Sequence, residues 1–290
     1  MIVLGRICFI LLFIVTAAMA DSRAGYAEES SDPQLPERFM LRGGWGYVFN
    51  ADTTFSINGP SGLGTSVNFA KDLGGQREDN FWRIDSLYRF NDKHSVGFSY
   101  YDVRRTGTKQ LDADLLINDI TYTVGGVAQS TLEMQMYRLF YNYSFHHDEK
   151  VELAGSVGLY LANIRTAFSS NLTCTGGTTC GSSGVTLTPN ASSSNLLTPL
   201  PTIGFLVNYN FTPRLQAQAR FDWFYVETGS FKGAMNEVYL GLEYRVFTHF
   251  SLGTAFDRLQ VNLKYDPDSG NGYRVENDWN ILYVYGALYF

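Results

Sequence analysis

The sequence predicts an all-β chain whose strands close into a transmembrane antiparallel up-and-down barrel. Apolar and polar residues alternate over many segments, and the connections between these segments alternate between short and long. The composition agrees, because aromatic residues make up 15% of the 290 residues and charged residues only 17%. Soluble domains usually carry about 25% charged residues. Few charges with many Tyr, Phe and Gly suit strands that have one face in lipid.

The alternation has period two, as in "RLQAQARFDWFYV" of residues 214–226, where Leu215, Ala217 and Ala219 fall on one face and Gln216 and Gln218 on the other. Successive side chains of a strand point to opposite faces, so one face is apolar and one polar. Ten segments meet the roughly 9–11 residues that a tilted transmembrane strand needs. They are residues 38–50, 81–90, 95–105, 132–145, 151–166, 199–211, 214–226, 237–247, 250–263 and 273–290.

Connections after even-numbered segments are short, such as "NDK", "HHDEK", "TP" and "TH". Residues 51–80, 106–131 and 167–198 form long connections, far above the median of about 4–6 residues. Short turns on one side and long loops on the other are typical of an outer-membrane barrel, with both termini on the periplasmic side. A twelve-strand alternative would need residues 53–58 and 65–69 to span the membrane. Both are too short, so we predict a hairpin above the membrane there.

The first twenty residues, "MIVLGRICFILLFIVTAAMA", contain one positive charge, an apolar run and a final Ala-Met-Ala. This order predicts a secretory signal peptide over residues 1–20, cleaved near Ala20, because the apolar run is shorter than the roughly 20 residues of a spanning helix. We expect a disordered periplasmic leader over residues 21–37 and the barrel over residues 38–290.

Charged residues occupy predicted inward positions, and both signs are present. These residues are Arg42, Arg83, Asp85, Arg89, Arg138, Glu152, Arg220, Asp222, Glu243, Arg245 and Asp257. Charges at membrane depth are costly unless they face a cavity or one another. They therefore predict either a paired network that closes the lumen or the lining of a narrow selective pore. Large inward rings favour the closed form, namely Tyr101, Tyr160, Phe224, Tyr239, Tyr283 and Tyr285.

Catalytic chemistry has little support in the sequence. All four histidines, His94, His146, His147 and His249, fall in the short turns, where no general base could meet a substrate at the outer surface. No Gly-x-Ser-x-Gly nucleophile motif is present. We therefore predict no catalytic residues, no metal and no cofactor, with a membrane-embedded hydrolase of peptides, lipid A or phospholipids as the alternative. The net charge of −6 argues against nucleic acid as a partner.

Cys174 and Cys180 are the two cysteines beyond the predicted signal peptide, in "TCTGGTTCG". An exported chain meets oxidising conditions, so an even number of cysteines predicts a disulfide that stiffens the loop of residues 167–198. A metal site is the alternative, although no histidine or third cysteine lies nearby.

The chain ends in "YVYGALYF", with apolar residues at alternate positions up to Leu288 and Phe290. With "RIDSLYRFNDKHSVGFSYYDV" and "PLPTIGFLVNYNFTPRLQAQARFDWF", this ending resembles the small proteobacterial outer-membrane β-barrel proteins of the opacity-protein and porin-like type. The resemblance implies an outer-membrane location, contact with outer-membrane lipid and lipopolysaccharide, and a carboxy-terminal signal bound by the barrel-assembly machinery.

Such families include adhesins, small channels and many proteins without an assigned role. The expected function is therefore that of a non-enzymatic barrel, either a narrow porin-like channel or a surface-binding scaffold. In the second case the long loops would bind an extracellular ligand, because long polar loops on a rigid scaffold suit that task.

Overall fold

The computed structural model describes residues 38–58, 64–117, 120–171, 173–175, 190–267 and 272–290. Ten long strands form the barrel: β1 (Phe39–Ile57), β3 (Asp79–Asn91), β4 (His94–Gln110), β7 (Val127–His147), β8 (Val151–Ser170), β10 (Asn190–Asn210), β11 (Leu215–Thr228), β12 (Phe231–Phe247), β13 (Phe250–Tyr265) and β14 (Tyr273–Tyr289). Four short strands lie in the connections: β2 (Val67–Asn68), β5 (Leu115–Ile117), β6 (Ile120–Tyr122) and β9 (Thr173–Thr175). The predicted signal peptide and leader lie outside the described residues.

The ten long strands form one closed antiparallel sheet. Each pairs with its neighbours along the chain, and β14 pairs with β1 from Met40 opposite Tyr289 to Ile57 opposite Tyr273. At the seam, the amide of Phe290 donates to the carbonyl of Phe39 at 2.8 Å. Closure leaves no unpaired strand edge, which hydrocarbon would not tolerate. The predicted ten-stranded up-and-down barrel is confirmed, and β2, with its two residues, adds only a short pairing to β1. No helix in the described part of the chain is long and apolar enough to cross a membrane.

The two ends of the barrel differ in their connections. One end, the short-turn end, carries four turns of a few residues together with Arg38 and Phe290. Side chains close these turns: the Asn91 carbonyl oxygen accepts from the amides of Lys93 and His94 at 3.0 Å, and Asp148 accepts from Val151 at 2.7 Å. Asn and Asp favour turns because they can accept from backbone amides a few residues on. The opposite end, the long-loop end, carries the three long connections, the connection between β13 and β14, and a two-residue turn between Thr228 and Phe231.

The polarity of both barrel faces inverts along the strands. In β7, near the short-turn end, Leu139 is exposed on the outer face and Arg138 is buried inside. Nearer the long-loop end, Met134 is buried inside, and Glu133 on the outer face pairs with the exposed Arg104. The half towards the short turns is therefore apolar outside and charged inside, whereas the half towards the long loops is polar outside and apolar inside.

This inversion corrects the predicted lengths of the strands and loops. We predicted β7 over residues 132–145, but it runs over Val127–His147. The predicted loop of residues 167–198 is shorter, because β8 continues to Ser170 and β10 begins at Asn190, directly opposite it. Likewise β1 continues to Ile57 and β4 to Gln110. In the additional residues the outward side chains are polar and the inward ones apolar. A search for apolar outward positions therefore stopped where the strands left the hydrocarbon.

An apolar belt surrounds the half of the barrel towards the short turns. Its rim on the long-loop side includes the ring pairs Trp45–Trp82, with centroids 5.4 Å apart, and Tyr100–Tyr137, at 4.9 Å. The rim on the short-turn side comprises exposed aromatic residues: Phe39, Tyr88, Phe90, Tyr143, Phe145, Tyr209, Phe211, Phe247 and Phe290. Trp82 and Phe90 are eight residues apart on β3, or roughly 26 Å along the strand. At a strand tilt of about 40° this length is roughly 20 Å along the membrane normal, somewhat below the apolar band of about 25 Å, edged by aromatic residues, of outer-membrane barrels.

Candidate functional site: the barrel interior

Buried charged side chains fill the interior of the half towards the short turns. We call this set the charged layer; it comprises Arg42, Arg83, Asp85, Arg89, Arg138, Glu152, Arg220, Asp222, Glu237, Glu243 and Asp257. They face inward because they occupy alternate positions of their strands, as Arg83 and Asp85 do on β3. Alternation thus aims charges from strands distant in sequence at one another across the lumen.

Asp222 on β11 is the centre of one cluster and is 1% exposed. Its carboxylate lies 2.9 Å from a terminal nitrogen of Arg138 and 2.8 Å from Nε of Arg220. The hydroxyl of Tyr160 donates to it at 3.1 Å, and Arg220 also pairs with Glu237. A buried charge is costly unless it is paired and hydrogen-bonded. Partners from β7, β8, β11 and β12 meet this condition for the carboxylate of Asp222, whereas Nε and one terminal nitrogen of Arg138 have no hydrogen-bond partner among the described residues.

Arg83 forms a second cluster on the opposite wall. Its guanidinium lies 3.0 Å from Asp85 on the same strand and 2.8 Å from Asp257 on β13. The rings of Tyr101, Tyr239 and Tyr283 surround it, with centroids 5.5–5.7 Å from the guanidinium carbon. Cation–π contacts of this kind are stronger where water is excluded. The rings and the ion pairs together fill this side of the lumen.

Two further ion pairs close the interior near the short-turn end. Arg42 pairs with Glu243 at 3.0 Å, and its guanidinium carbon lies 4.2 Å from the ring centroid of Tyr285. Gly253 leaves space for that ring, because a Cβ there would lie 2.2 Å from it.

The second pair is bidentate. Arg89 donates to both oxygens of Glu152, at 2.9 and 3.0 Å. Ser144 and Asn208 also donate to Glu152, at 2.5 and 2.9 Å. Two parallel bonds of this kind add geometric specificity as well as energy.

Ten of the eleven charged residues singled out from the sequence thus lie together inside the barrel. The eleventh, Arg245, lies over the ring of Tyr289 at 5.2 Å, close to the short-turn end. Sequence analysis missed two buried charges, Glu237 and Arg105. Glu237 lies in the same phase of β12 as Tyr239 and Glu243, so alternation could have found it. Arg105 shares the phase of Tyr101 and is the last residue of the predicted segment 95–105, so alternation could have found it as well.

An apolar plug fills the interior of the half towards the long loops. The connections contribute buried residues, and strand residues surround them. The connection residues are Val67, Phe69, Leu73, Leu111, Leu115, Ile117 and Tyr122; strand residues of the same cluster include Phe55, Leu132, Met134, Phe168, Leu200, Met235, Leu259 and Trp279. Burial of this apolar surface stabilises the inward-folded connections by roughly 25 cal/mol per Å².

Arg105 fastens the first long connection to the barrel wall. It is 1% exposed, and its Nε donates to the carbonyl of Gln76 at 2.9 Å. A terminal nitrogen donates to the hydroxyl of Thr53 at 3.2 Å. The rings of Phe69 and Trp279 lie 4.9 and 5.8 Å from its guanidinium carbon. Arg105 therefore holds Phe69 and Gln76 of this connection against Thr53 of β1 and Trp279 of β14.

The long connections also pair with one another. Strands β5, β6 and β9 form a small antiparallel sheet that joins the second connection to the third. The amide of Thr65 in the first connection donates to the carbonyl of Leu116 in the second at 2.9 Å. Cys174 lies in β9, but Cys180 lies outside the described residues, so the disulfide stays a prediction.

All four histidines lie at the short-turn end. His146 pairs with Asp148 at 3.0 Å, and Nδ1 of His147 lies 3.1 Å from the carbonyl of Asp92. The carbonyl of His249 accepts from the amide of Tyr289 at 3.0 Å. Amide donation from Val151 and Lys150 lowers the pKa of Asp148 in this turn. The side chains of His146 and His147 therefore bond to turn residues, that of His94 contacts the hydroxyl of Tyr141 on β7, and all four histidines lie away from the long loops.

No group of three His, Cys, Asp or Glu residues that could hold a metal ion occurs among the described residues. The carboxylates of the charged layer are instead paired with arginines, as the ion pairs above show. What the interior offers is a set of paired charges and rings at membrane depth, below an apolar plug.

The fold and its outer surface define a transmembrane β-barrel of the outer-membrane type. No protein-family profile and no curated protein sequence matches the chain. Among solved structures it is similar to the outer membrane protease OmpT of Escherichia coli, with a TM-score of 0.56 and 12% identity, over 88% of this chain and 97% of that one. Matches with lower TM-scores include Ail, the attachment invasion locus protein of Yersinia pestis (0.33; 12% identity; 86% and 99% covered), and OprG of Pseudomonas aeruginosa (0.34; 12%; 88% and 96%). At this identity the likeness to OmpT shows a shared fold alone.

Proposed function

We propose that the protein is a non-conducting, non-enzymatic barrel of the bacterial outer membrane that acts as a surface-binding scaffold. The observation that carries this proposal is the double filling of the lumen, by the charged layer at membrane depth and by the apolar plug beyond it. A barrel of about eight strands is just wide enough to be filled by its own side chains, and ten strands add little to this width. The inward-folded connections take up that extra space.

The outer-membrane location is supported by the apolar belt, by its aromatic rims and by the fold. The short-turn end would then face the periplasm and the long loops the cell exterior. Lipopolysaccharide and outer-membrane lipid would surround the belt, and the barrel-assembly machinery would bind the strand that ends at Leu288 and Phe290. Loops placed on a rigid scaffold are common carriers of binding function.

The channel alternative is tested by planar-bilayer recordings of the purified protein, with a large porin as the control that the bilayer reports conductance. We expect no discrete current steps, because Arg138, Arg220 and Tyr160 meet around Asp222 in the lumen. Steps whose ion selectivity changes in Arg83→Gln or Arg220→Gln would overturn the proposal and establish a narrow pore.

The binding role is tested by replacing residues 171–189 with an Asn-Gly turn. Ser170 and Asn190 face each other in the register of β8 and β10, so a two-residue turn can join them. We expect this barrel to insert normally and to lose adherence to host cells or immobilised glycans. Adherence equal to that of the native chain would contradict a role for this connection.

The hydrolase alternative has less support, because each histidine lies at the short-turn end, whereas a base acting on surface substrates would lie at the other. Incubation of the reconstituted protein with peptide, lipid A and phospholipid substrates tests it. We expect every substrate to remain intact, and cleavage of any of them would overturn the non-enzymatic assignment.

A further inference from the structure

A four-stranded sheet projects at the long-loop end, past the ends of its neighbours β3 and β11. In this sheet, β4 pairs with β7 as far as Gln110, and β8 pairs with β10 as far as Asn190. The pairing of β3 with β4 ends at Arg83, and the pairing of β10 with β11 ends at Ile203. The projecting sheet of β4, β7, β8 and β10 therefore has two edges, one along β4 and one along β10.

The first long connection covers the edge along β4. Gly75 forms an isolated bridge with Gly107 of β4, and the amide of Gln76 donates to the carbonyl of Thr106 at 3.3 Å. Arg105 holds the same connection in place through the carbonyl of Gln76. Open strand edges are places where other chains can pair, and proteins commonly cover them. The barrel thus protects this edge with its own backbone.

The backbone groups of β10 alternate in direction between its two neighbours. The amide of Asn210 donates to the carbonyl of Lys150, which precedes β8, so the even-numbered residues of β10 direct their N–H and C=O groups towards β8. The amide of Phe211 donates to the carbonyl of Leu215 on the other side. The register of β10 with β8 contains no shift, so this alternation holds along the whole strand. The odd-numbered residues of β10 therefore direct their backbone groups away from β8.

The edge along β10 is open beyond Ile203, the last residue that pairs with β11. Pro201 and Pro199 are the next odd-numbered residues, and they have no N–H to donate, so the ladder with β11 stops there. Leu197 follows and in the same register would lie opposite Gly229, in the turn after β11. Past this turn, no strand of the described residues lies beside four N–H groups of β10, those of residues 191, 193, 195 and 197.

We propose that this edge binds an extended segment of another polypeptide as an additional strand. Its N–H groups recur at every second residue, roughly 7 Å apart, and the carbonyl groups of an extended backbone match that spacing. The segment would have about eight residues with apolar side chains at alternate positions. Apolar side chains fit the inner side, because Leu196 and Leu200 of β10 pack there against the apolar plug.

A second copy of the barrel is a less suitable occupant. Copies in one membrane share an orientation, so a second β10 could pair only in parallel, which is the less stable arrangement. The proposal goes beyond the surface binding assigned to residues 171–189, because it concerns backbone groups of β10. It rests on the proposed function only in placing this end outside the cell.

The test measures binding of a fluorescent octapeptide of alternating Thr and Val to the full chain in lipid nanodiscs, by fluorescence anisotropy. Empty nanodiscs give the background. Two further peptides carry methyl groups on backbone nitrogens, one at the Thr positions and one at the Val positions. Successive N–H groups of a strand point to opposite sides, so only one of these sets faces β10.

We expect the unmodified peptide to bind above the background. One methylated peptide should bind at least about tenfold more weakly, because it loses several hydrogen bonds to the edge, and the other should bind like the unmodified peptide. Both methylated peptides are equally apolar, so contact through side chains alone would not separate them. Equal binding of the two, or no binding above empty nanodiscs, would overturn the proposal.

Variants of β10 test whether the peptide binds at this edge. Ser193→Pro combined with Leu197→Pro removes two of the four N–H groups and should weaken binding at least about tenfold. Leu197→Ala keeps the N–H group but removes most of a side chain that is 63% exposed, and it should bind like the native chain. The heat-dependent shift of the barrel in gel electrophoresis checks that each variant folds. Equal binding by the proline variant and the native chain would contradict the proposal.

Two other occupants of the edge would give different results. The barrel with an Asn-Gly turn in place of residues 171–189 should bind the peptide like the native chain, and binding by this variant alone would show that the connection covers the edge. A dimer of the native chain that the double proline variant dissociates would assign the edge to a second copy. Either result would refute the proposal. Adherence to cells or glycans is measured separately, so failure of peptide binding is distinguishable from failure of the proposed function.

Discussion

At the scale of single residues, the interior is organised by carboxylates that each serve several donors. Arg138, Arg220 and Tyr160 bind the carboxylate of Asp222. Arg89, Ser144 and Asn208 donate hydrogen bonds to Glu152. A buried ion pair adds little net stability over an apolar replacement. Removal of one partner, however, leaves the other charge buried and unpaired, which is strongly destabilising. Removal of a shared carboxylate should therefore lower the stability of the barrel by more than the loss of one contact would.

Asp222→Ala should lower the free energy of unfolding by about 3–5 kcal/mol, because it leaves Arg138 buried without its carboxylate. Urea titration of the barrel in detergent micelles measures this. The matched control is Asp278→Ala, which breaks an ion pair with Arg258 on the outer face. The side chain of Asp278 is 38% exposed and that of Arg258 is 47% exposed. That variant should lose at most about 1 kcal/mol. Equal losses in the two variants would show that the charged layer does not act as a buried network.

At the scale of strands, the two faces of β7 exchange character within a few residues. An outward ladder of side chains marks the change: Gln135 donates to Asp102 at 3.2 Å and Asn163 donates to Gln135 at 3.1 Å. The ladder lies directly beyond the Tyr100–Tyr137 ring pair, where the outer face becomes polar. Hydrocarbon therefore ends between Tyr137 and Gln135 on this strand.

Leu139→Arg and Gln135→Arg test this boundary, since both place a charge on the outer face of β7. A charge on the lipid face costs about 2–4 kcal/mol at the bilayer midplane and about 0–1 kcal/mol near the interface. Leu139 is the first outward residue inside Tyr137 and lies between the rim and the midplane, so we expect Leu139→Arg to cost more than Gln135→Arg, which should show only the interfacial cost. Urea unfolding in liposomes is the measurement. A larger loss for Gln135→Arg than for Leu139→Arg would place the boundary elsewhere.

The first long connection should depend on Arg105 of β4, which holds it against the barrel wall. Arg105→Met keeps most of the volume but removes the donors to Gln76 and Thr53. Loss of charged hydrogen bonds should make the connection open about tenfold more often. Trypsin cleavage after Lys71 or Arg77, followed by mass spectrometry, measures this opening. Arg104→Met, on the exposed face of the same strand, is the control and should leave cleavage unchanged.

The sequence predicted the number of strands, their order and the inward side of each one, because period-two alternation in lipid is a strong local signal. It did not predict that β7 begins at Val127 or that β8 continues to Ser170. In these extensions the outer face is polar, so the same alternation carries the opposite phase. The search could have continued by allowing one phase reversal per strand. The partners of Arg83 and Asp222 could not be predicted, because they depend on register between distant strands.

At the scale of the whole molecule, the inversion of polarity gives two stacked zones with different solvents. The zone towards the short turns excludes its charges from lipid by turning them inward, where Arg83, Arg138 and Arg220 find carboxylates. The zone towards the long loops follows the rule of soluble proteins, with Trp279 and Leu259 inside and Asp278 and Arg258 outside. A barrel built this way can sit at only one depth in the membrane, because a shift along its axis would bring the exposed charged pairs into the hydrocarbon.

The orientation across the membrane is the last consequence, and epitope insertion tests it. A short epitope inserted after Gly229, which has a φ of 49° in the turn between β11 and β12, lies at the long-loop end. A second epitope inserted after Glu149, between β7 and β8, lies at the short-turn end. The long loops of outer-membrane barrels face the exterior, so intact cells should bind antibody only at the first site. The second site should be labelled only after the outer membrane is permeabilised. Labelling of intact cells at the second site alone would show that the barrel has the opposite orientation and that the long loops face the periplasm.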